Sequence, residues 1–328
     1  MTWLQLTSAA ALASAALFNS NPPTLSAEDP RPAIASEDLA FHPVEVLDLQ
    51  TERYNRLTVP VTIMGQGPYR FLIDTGSQAT VLSRSLADHL ALHDRRSATL
   101  VAMNSRRQVE TTFVPDMQMG KRSFFVRTAP LLEGVHIGGA DGILGLDSLQ
   151  EQRVLLDFEA NSISVASAEE LGGNDGFQIV VRAREKLGQL IIARAEVDGV
   201  RTAVIIDTGA QGSIGNAALL DRLRRRSRDM GMSEMTDVNG VKTEGNVRVT
   251  RMLNMGRAQL QNVAVTFTES PIFEELDLHQ EPALVLGMSE LRLFERVAID
   301  FAQRRVLFDV PRNERVPSSA AFHSYGVG

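Results

Sequence analysis

Phe71-Leu72-Ile73-Asp74-Thr75-Gly76-Ser77-Gln78-Ala79-Thr80-Val81 occurs a second time as Val204-Ile205-Ile206-Asp207-Thr208-Gly209-Ala210-Gln211-Gly212-Ser213-Ile214. In each copy an apolar, β-prone run delivers one Asp to a tight Gly turn, and a hydroxyl residue and a β-branched residue follow at the same spacing. The pattern predicts a carboxylate presented at the end of a buried strand. A single Asp-Thr-Gly reads as a capped turn in a β-domain. Two copies in matching contexts argue for a duplicated unit.

Other landmarks repeat in the same order. Met117-Gln118-Met119-Gly120 answers Leu253-Asn254-Met255-Gly256, Ile143-Leu144-Gly145-Leu146 answers Val285-Leu286-Gly287-Met288, and Arg153-Val154-Leu155-Leu156-Asp157-Phe158 answers Arg296-Val297-Ala298-Ile299-Asp300-Phe301. The offsets are 207−74 = 133, 256−120 = 136, 287−145 = 142 and 300−157 = 143. A slowly growing offset is what tandem duplication with a few loop insertions leaves behind.

At these residues the chain resembles the aspartic peptidases, and in detail the retropepsin-like kind in a single-chain bacterial form. The resemblance covers roughly residues 55–310. It implies an all-β, two-lobed acid-protease fold of retropepsin-like β-barrels, a pseudo-dimer with the active site between the lobes. It also implies a catalytic pair, Asp74 and Asp207. Thr75 and Thr208 would exchange hydrogen bonds beneath the pair, and Gly76 and Gly209 would let backbone N–H groups approach the carboxylates. A hydroxyl after Asp-Thr-Gly can donate to its Asp, so Ser77 would assist Asp74 while Ala210 leaves Asp207 without that help. Where retroviral proteases carry an Arg after Leu-Gly and an Asp after the catalytic turn, this chain has Leu146 and Met288, Gln78 and Gln211. No Tyr stands in either flap region.

The length of 328 residues, 44% of them hydrophobic, suffices for two cores. A net charge of −7 argues against a nucleic-acid partner, whose phosphates would repel the molecule as a whole. With no Cys, the chain has no thiol nucleophile, disulfide or thiolate metal site. His89 and His93 have the i, i+4 spacing of metal ligands, but no zincin-type Glu accompanies them; we read them as surface histidines and expect no metal and no cofactor. The basic run at 222–228 reads as a solvated helix face.

Along the chain, residues 1–27 hold an Ala-rich apolar run of signal-peptide length, although it lacks a leading Lys or Arg; a plain N-terminal tail is the alternative. The run is shorter than the roughly 20 apolar residues a membrane span needs. Residues 28–50 read as a linker, 51–166 as the first lobe, 167–176 as a second linker, 177–311 as the second lobe and 312–328 as a mobile tail. Helices are expected at 84–92, capped by Ser83, and at 216–226. The region 98–126 reads as short strands, and the segments 157–165 and 300–309 as hairpins closing each lobe. Flap candidates are Met103, Asn104 and Ser105 in the first lobe, and the tight-turn pair Asn239-Gly240 in the second.

The chemistry expected is hydrolysis of peptide bonds in protein or peptide substrates, with one carboxyl acting as base and the other as acid. The expected setting is a monomeric pseudo-dimer, periplasmic or secreted, that meets a membrane only transiently through its signal peptide. The alternative is an inactive module of the same fold that binds peptides without cutting them.

Overall fold

The computed structural model describes residues 3–5, 58–223 and 225–311. The segments expected as linker (28–50) and tail (312–328) lie outside the described residues, as does the signal segment apart from the short strand Trp3–Gln5, which runs parallel to Arg95–Val101.

The duplication seen in the sequence is a duplication of barrels. In the first lobe six strands close on themselves in the order Arg106–Met119, Thr58–Ile63, Gln66–Ile73, Gly142–Leu144, Val81–Ser83 and Arg122–Leu132, the last pairing back to the first. In the second lobe the same circuit runs Lys242–Met255, Gln189–Val197, Val200–Ile206, Ala283–Leu286, Ser213–Gly215 and Ala258–Phe267, closed by the pairing of Gln189–Val197 with Lys242–Met255. In each, the strand that leads to the Asp pairs in parallel with the apolar strand before Leu-Gly: Ile73 sits opposite Leu144, and Ile206 opposite Leu286. The strands Gly142–Leu144 and Ala283–Leu286 are wholly buried, which explains why they read as continuous apolar runs rather than alternating ones.

The hairpins expected at 157–165 and 300–309 form, and their first strands also join the two lobes. Arg153–Asp157 and Arg296–Asp300 pair with each other, antiparallel, with Leu155 opposite Ala298. They form the centre of a separate five-stranded sheet in which each is flanked by its own hairpin partner, Ser162–Ala166 on one side and Arg305–Asp309 on the other, with Ile179–Arg182 beyond. Their apolar faces merge with both barrels into one core that runs from Val59 to Phe308. At its centre, Arg153 is almost fully buried and gives Nε and Nη2 to Asp300 of the other lobe, at 3.2 and 2.6 Å. The same guanidinium holds Gly173 O and Asn174 Oδ1, so the glycine-rich connection between the lobes is pinned rather than loose.

Several expected boundaries move. The helix expected at 84–92 covers Arg84–His89, capped by Ser83, which accepts from Leu86 N; it stops where Ala91 takes a left-handed conformation (φ 52°). The helix expected at 216–226 covers Ala217–Leu223, and Asn216 Oδ1 caps it at Leu219 N. In place of short strands, the first lobe has a 14-residue strand, Arg106–Met119, because register shifts near Thr112–Val114 and Val114–Met117 let it bend around the barrel without ending.

Candidate active site

Asp74 stands one residue past Gln66–Ile73, a strand that goes inside only near its end, and Asp207 one residue past Val200–Ile206, which is mostly buried; both residues are about 1% exposed. The turn that follows folds the chain back onto the carboxylate. Gly76 N and Ser77 N donate to Asp74 Oδ1 at 2.9 Å each, while Gly209 N and Ala210 N donate to Asp207 Oδ1 at 2.8 and 3.1 Å. Two amides on one oxygen fix its direction and favour the charged form.

The lobes meet immediately below. Thr75 N donates to Thr208 Oγ1 and Thr208 N to Thr75 Oγ1, both at 3.1 Å. Each hydroxyl passes its own proton to the strand of the other lobe: Thr75 Oγ1 to Ile206 O at 2.9 Å, and Thr208 Oγ1 to Ile73 O at 2.8 Å. Every donor in this square has a partner across the interface, so neither loop can shift without the other. Gly76 shows how near the carboxyls come. Its amide is bonded to Asp74, yet a Cβ on it would collide with the Asp207 carboxylate. One residue therefore touches both acids, and it has to be Gly.

The Ser77 hydroxyl differs from the expectation. It donates to Ala79 O at 2.9 Å, so its single proton goes to the chain and not to Asp74. Ala210 is buried in an apolar cluster. The Gln positions that replace the retroviral Asp still reach across the interface on one side, since Gln78 Nε2 donates to Leu187 O at 3.1 Å. Gln189, which the sequence reading did not single out, donates from the second lobe to Gly76 O at 2.7 Å. Leu146 is buried in the core, as an apolar substitute for a charged staple allows.

The flap candidates lie at two hairpin tips, each inserted into the opposite lobe. Met103 is 3% exposed and sits in the second lobe's apolar cluster with Ile205, Ala210, Ile214 and Phe273; Ser270 Oγ donates to its carbonyl. Val238, from the second tip, is buried in the first lobe among Val81, Leu100, Ala102, Leu132, Ile137 and Ile143. Polar groups bind the tips together: Ser105 Oγ donates to Asp237 Oδ2 at 2.5 Å and accepts from Asn239 Nδ2 at 2.8 Å, and Arg107 donates to Asn239 O at 3.2 Å. Asn104 is half-buried beside them. Asn239-Gly240 lies in a tight turn, as its sequence signals, between Thr236 and Lys242. Asp237 organises the turn, its Oδ1 accepting from Asn239 N and Val241 N, with Gly240 N on its carbonyl. Gly240 takes φ 75° above the ring of His136. Asp-x-Asn-Gly is itself an Asx-turn signal that could have found Asp237.

A cavity of about 60 Å³ opens beside Asp74, walled by Ile137, Ile143, Gly209, Ala210, Met288 and Arg292. Among the described residues no cluster of His, Asp and Glu could hold a metal ion.

The aspartyl protease family model matches residues 59–148 and 193–289, one match to each barrel and each including one Asp-Thr-Gly. The chain belongs to the aspartyl protease family. No curated protein shows significant similarity to it.

Proposed function

We propose that this aspartyl protease family member is an active endopeptidase whose nucleophile is water and whose acid and base are Asp74 and Asp207. The observation that carries the reading is the meeting of the two carboxyls at Gly76, over the reciprocal Thr75–Thr208 bonds. Two buried carboxyls this near cannot both ionise at modest cost, so they hold one proton between them and titrate as a pair. The charged member takes a proton from water as the oxygen attacks the peptide carbonyl carbon, and the protonated member gives its proton to the carbonyl oxygen. The resulting diol then collapses: the carboxyl that gave its proton takes one from a diol hydroxyl as the C–N bond breaks, and the other delivers the proton taken from water to the leaving nitrogen. The dyad ends the cycle as it began.

Extended substrates fit a cleft between two lobes, and the hairpin tips would have to part to admit them. The reading as a periplasmic or secreted processing enzyme, monomeric because both lobes lie in one chain, rests on the expected signal segment and the duplication. The test is hydrolysis of denatured casein and of a peptide library. Cleavage at acid pH that survives EDTA and thiol reagents and stops with pepstatin supports the proposal. Peptide binding without any cleavage would make the protein the non-cutting module instead, and chelator-sensitive cleavage would contradict the dyad.

A further inference from the structure

Each catalytic loop runs from its Asp to a hydroxyl six residues on, Thr80 in the first lobe and Ser213 in the second. The start of the loop is fixed by its strand, since Asp74 N donates to Leu144 O and Asp207 N to Leu286 O. Its middle lies on the first amides of the short helix after Leu-Gly: Leu146 N and Asp147 N donate to Ser77 O and Gln78 O, and Met288 N and Ser289 N to Ala210 O and Gln211 O. The far end meets a carboxyl from the same helix, that of the exposed residue Asp147 in the first lobe and that of the buried Glu290 in the second. Thr80 gives both its amide (2.9 Å) and its Oγ1 (2.6 Å) to Asp147 Oδ1, and Ser213 Oγ donates to Glu290 Oε2 while accepting from Gly287 N at 3.3 Å. The shorter hydroxyl residue is matched with the longer acid, which lies one helix position later.

We propose that Asp147 and Glu290 are positioning residues for the dyad, each clamping the far end of one Asp-Thr-Gly loop through the hydroxyl it receives. The proposal rests on the peptidase reading only for its catalytic consequence. The two clamps are unequal. Asp147 has two donors from Thr80; Glu290 faces the Ser213 hydroxyl and the backbone of its own helix, and no cation pairs with it among the described residues. Burial pushes Glu290 up from 4.5 to about 7, the Ser213 hydroxyl and the helix backbone lowering it only in part. Asp147 is raised by burial too, with the Thr80 bonds opposing. A carboxyl held above its ordinary value stabilises the fold fully below that value and loses its contribution as pH rises through the folded one. For Glu290 the window runs from about 4.5 to about 7. Above it, a buried carboxylate with one hydroxyl donor draws the Ser213 end of the loop toward water, so the Asp207 loop loosens before the Asp74 loop does.

The experiment compares wild type, Glu290→Gln and Glu290→Ala. Gln keeps an oxygen for Ser213 but cannot ionise; Ala removes the clamp. Three readouts are taken between pH 4.5 and 8: the unfolding midpoint, amide hydrogen exchange at 208–213 corrected for intrinsic rates, and kcat and KM on a fluorogenic peptide. The expected result is a wild-type unfolding midpoint that falls across this window relative to Glu290→Gln, and loop amides that lose protection above pH 7 in wild type but not in Glu290→Gln. Glu290→Ala lowers kcat about tenfold or more with KM within about twofold, as misplacement of a catalytic group does, and Gln recovers most of the loss. Identical pH dependence in wild type and Glu290→Gln, or wild-type kcat in Glu290→Ala, overturns the proposal. If wild type cuts no peptide, the peptidase reading fails by itself, and loop exchange decides this one: unchanged protection in Glu290→Ala overturns it, and lost protection upholds it.

Discussion

In the first lobe Arg153 is buried and crosses to Asp300, whereas its counterpart Arg296 is partly exposed, turns to Asp309 in its own hairpin and lies over the Phe177 ring at 4.8 Å. The same inequality recurs at other paired positions. Thr80 holds Asp147 twice and Ser213 holds Glu290 once; Met103 fills one apolar site and the smaller Val238 the other; Ser77 in the first lobe has Ala210 as its counterpart in the second. What is the same in both lobes is the path of the barrel, the Asp with its two amides, and the Thr-to-Thr bonds. Two loops that must meet at one point constrain each other's backbone, while the side chains behind them only have to hold it. Different residues can do that.

The comparison can be broken at its most unequal pair. Arg153→Ala leaves Asp300, itself fully buried, without its cation, and removes the clamp on Gly173 and Asn174; a loss of about 3–5 kcal/mol is expected. Arg296→Ala, whose charge is partly in water already, should cost about 1–3 kcal/mol. Denaturant unfolding of the two variants checks this, and equal losses would mean that the five-stranded sheet is energetically symmetric after all.

The hairpin tips sharpen it further. Met103→Ala empties a site in the second lobe and should destabilise by about 2–4 kcal/mol, against about 1–2 for Val238→Ala in the first. Both should also speed hydrogen exchange in the other variant-free tip, because Ser105, Asp237 and Asn239 bind the two together. Independent exchange at the two tips would show that the polar contacts do not couple them.

The smallest effect is expected at Ala210→Ser. Ser77 gives its proton to the carbonyl two residues on, so a serine at 210 should follow it to Gly212 O and leave the pH profile of activity where it was. A shift of the acid limb by half a unit or more would mean that the new hydroxyl reaches Asp207 instead.

Much of this arrangement could be read from the sequence because its constraints are local. Asp-Thr-Gly, the apolar run before it and the apolar strand before Leu-Gly are contiguous patterns, so the duplication followed from spacing, while the barrels and the pairing of the two Asp residues were implied by the resemblance to aspartic peptidases. The pairings that depend on distance did not. Nothing in Arg153-Val154-Leu155-Leu156-Asp157 says that, besides its own hairpin partner Ser162–Ala166, it pairs with Arg296–Asp300 of the other lobe. The repeated hydroxyl at Thr80 and Ser213 was visible, but its acid lies 67 residues away in one lobe and 77 in the other and differs in type and helix position, so repeat matching could not align the two. The destination of the Ser77 proton was misjudged because a family expectation was applied to a hydroxyl whose nearest acceptor is its own chain.

The central claim is that each lobe supplies one acid to one shared site. It is tested most directly by kcat for Asp74→Asn, Asp207→Asn and the double variant, with mass by light scattering to fix the state of assembly. Asn is nearly isosteric and can accept the same backbone amides, so all three should fold. Each single variant is expected to lose nearly all turnover and the double to be hardly worse, because groups that act as one unit lose their function together. Half or more of the wild-type activity in either single variant would contradict a shared site.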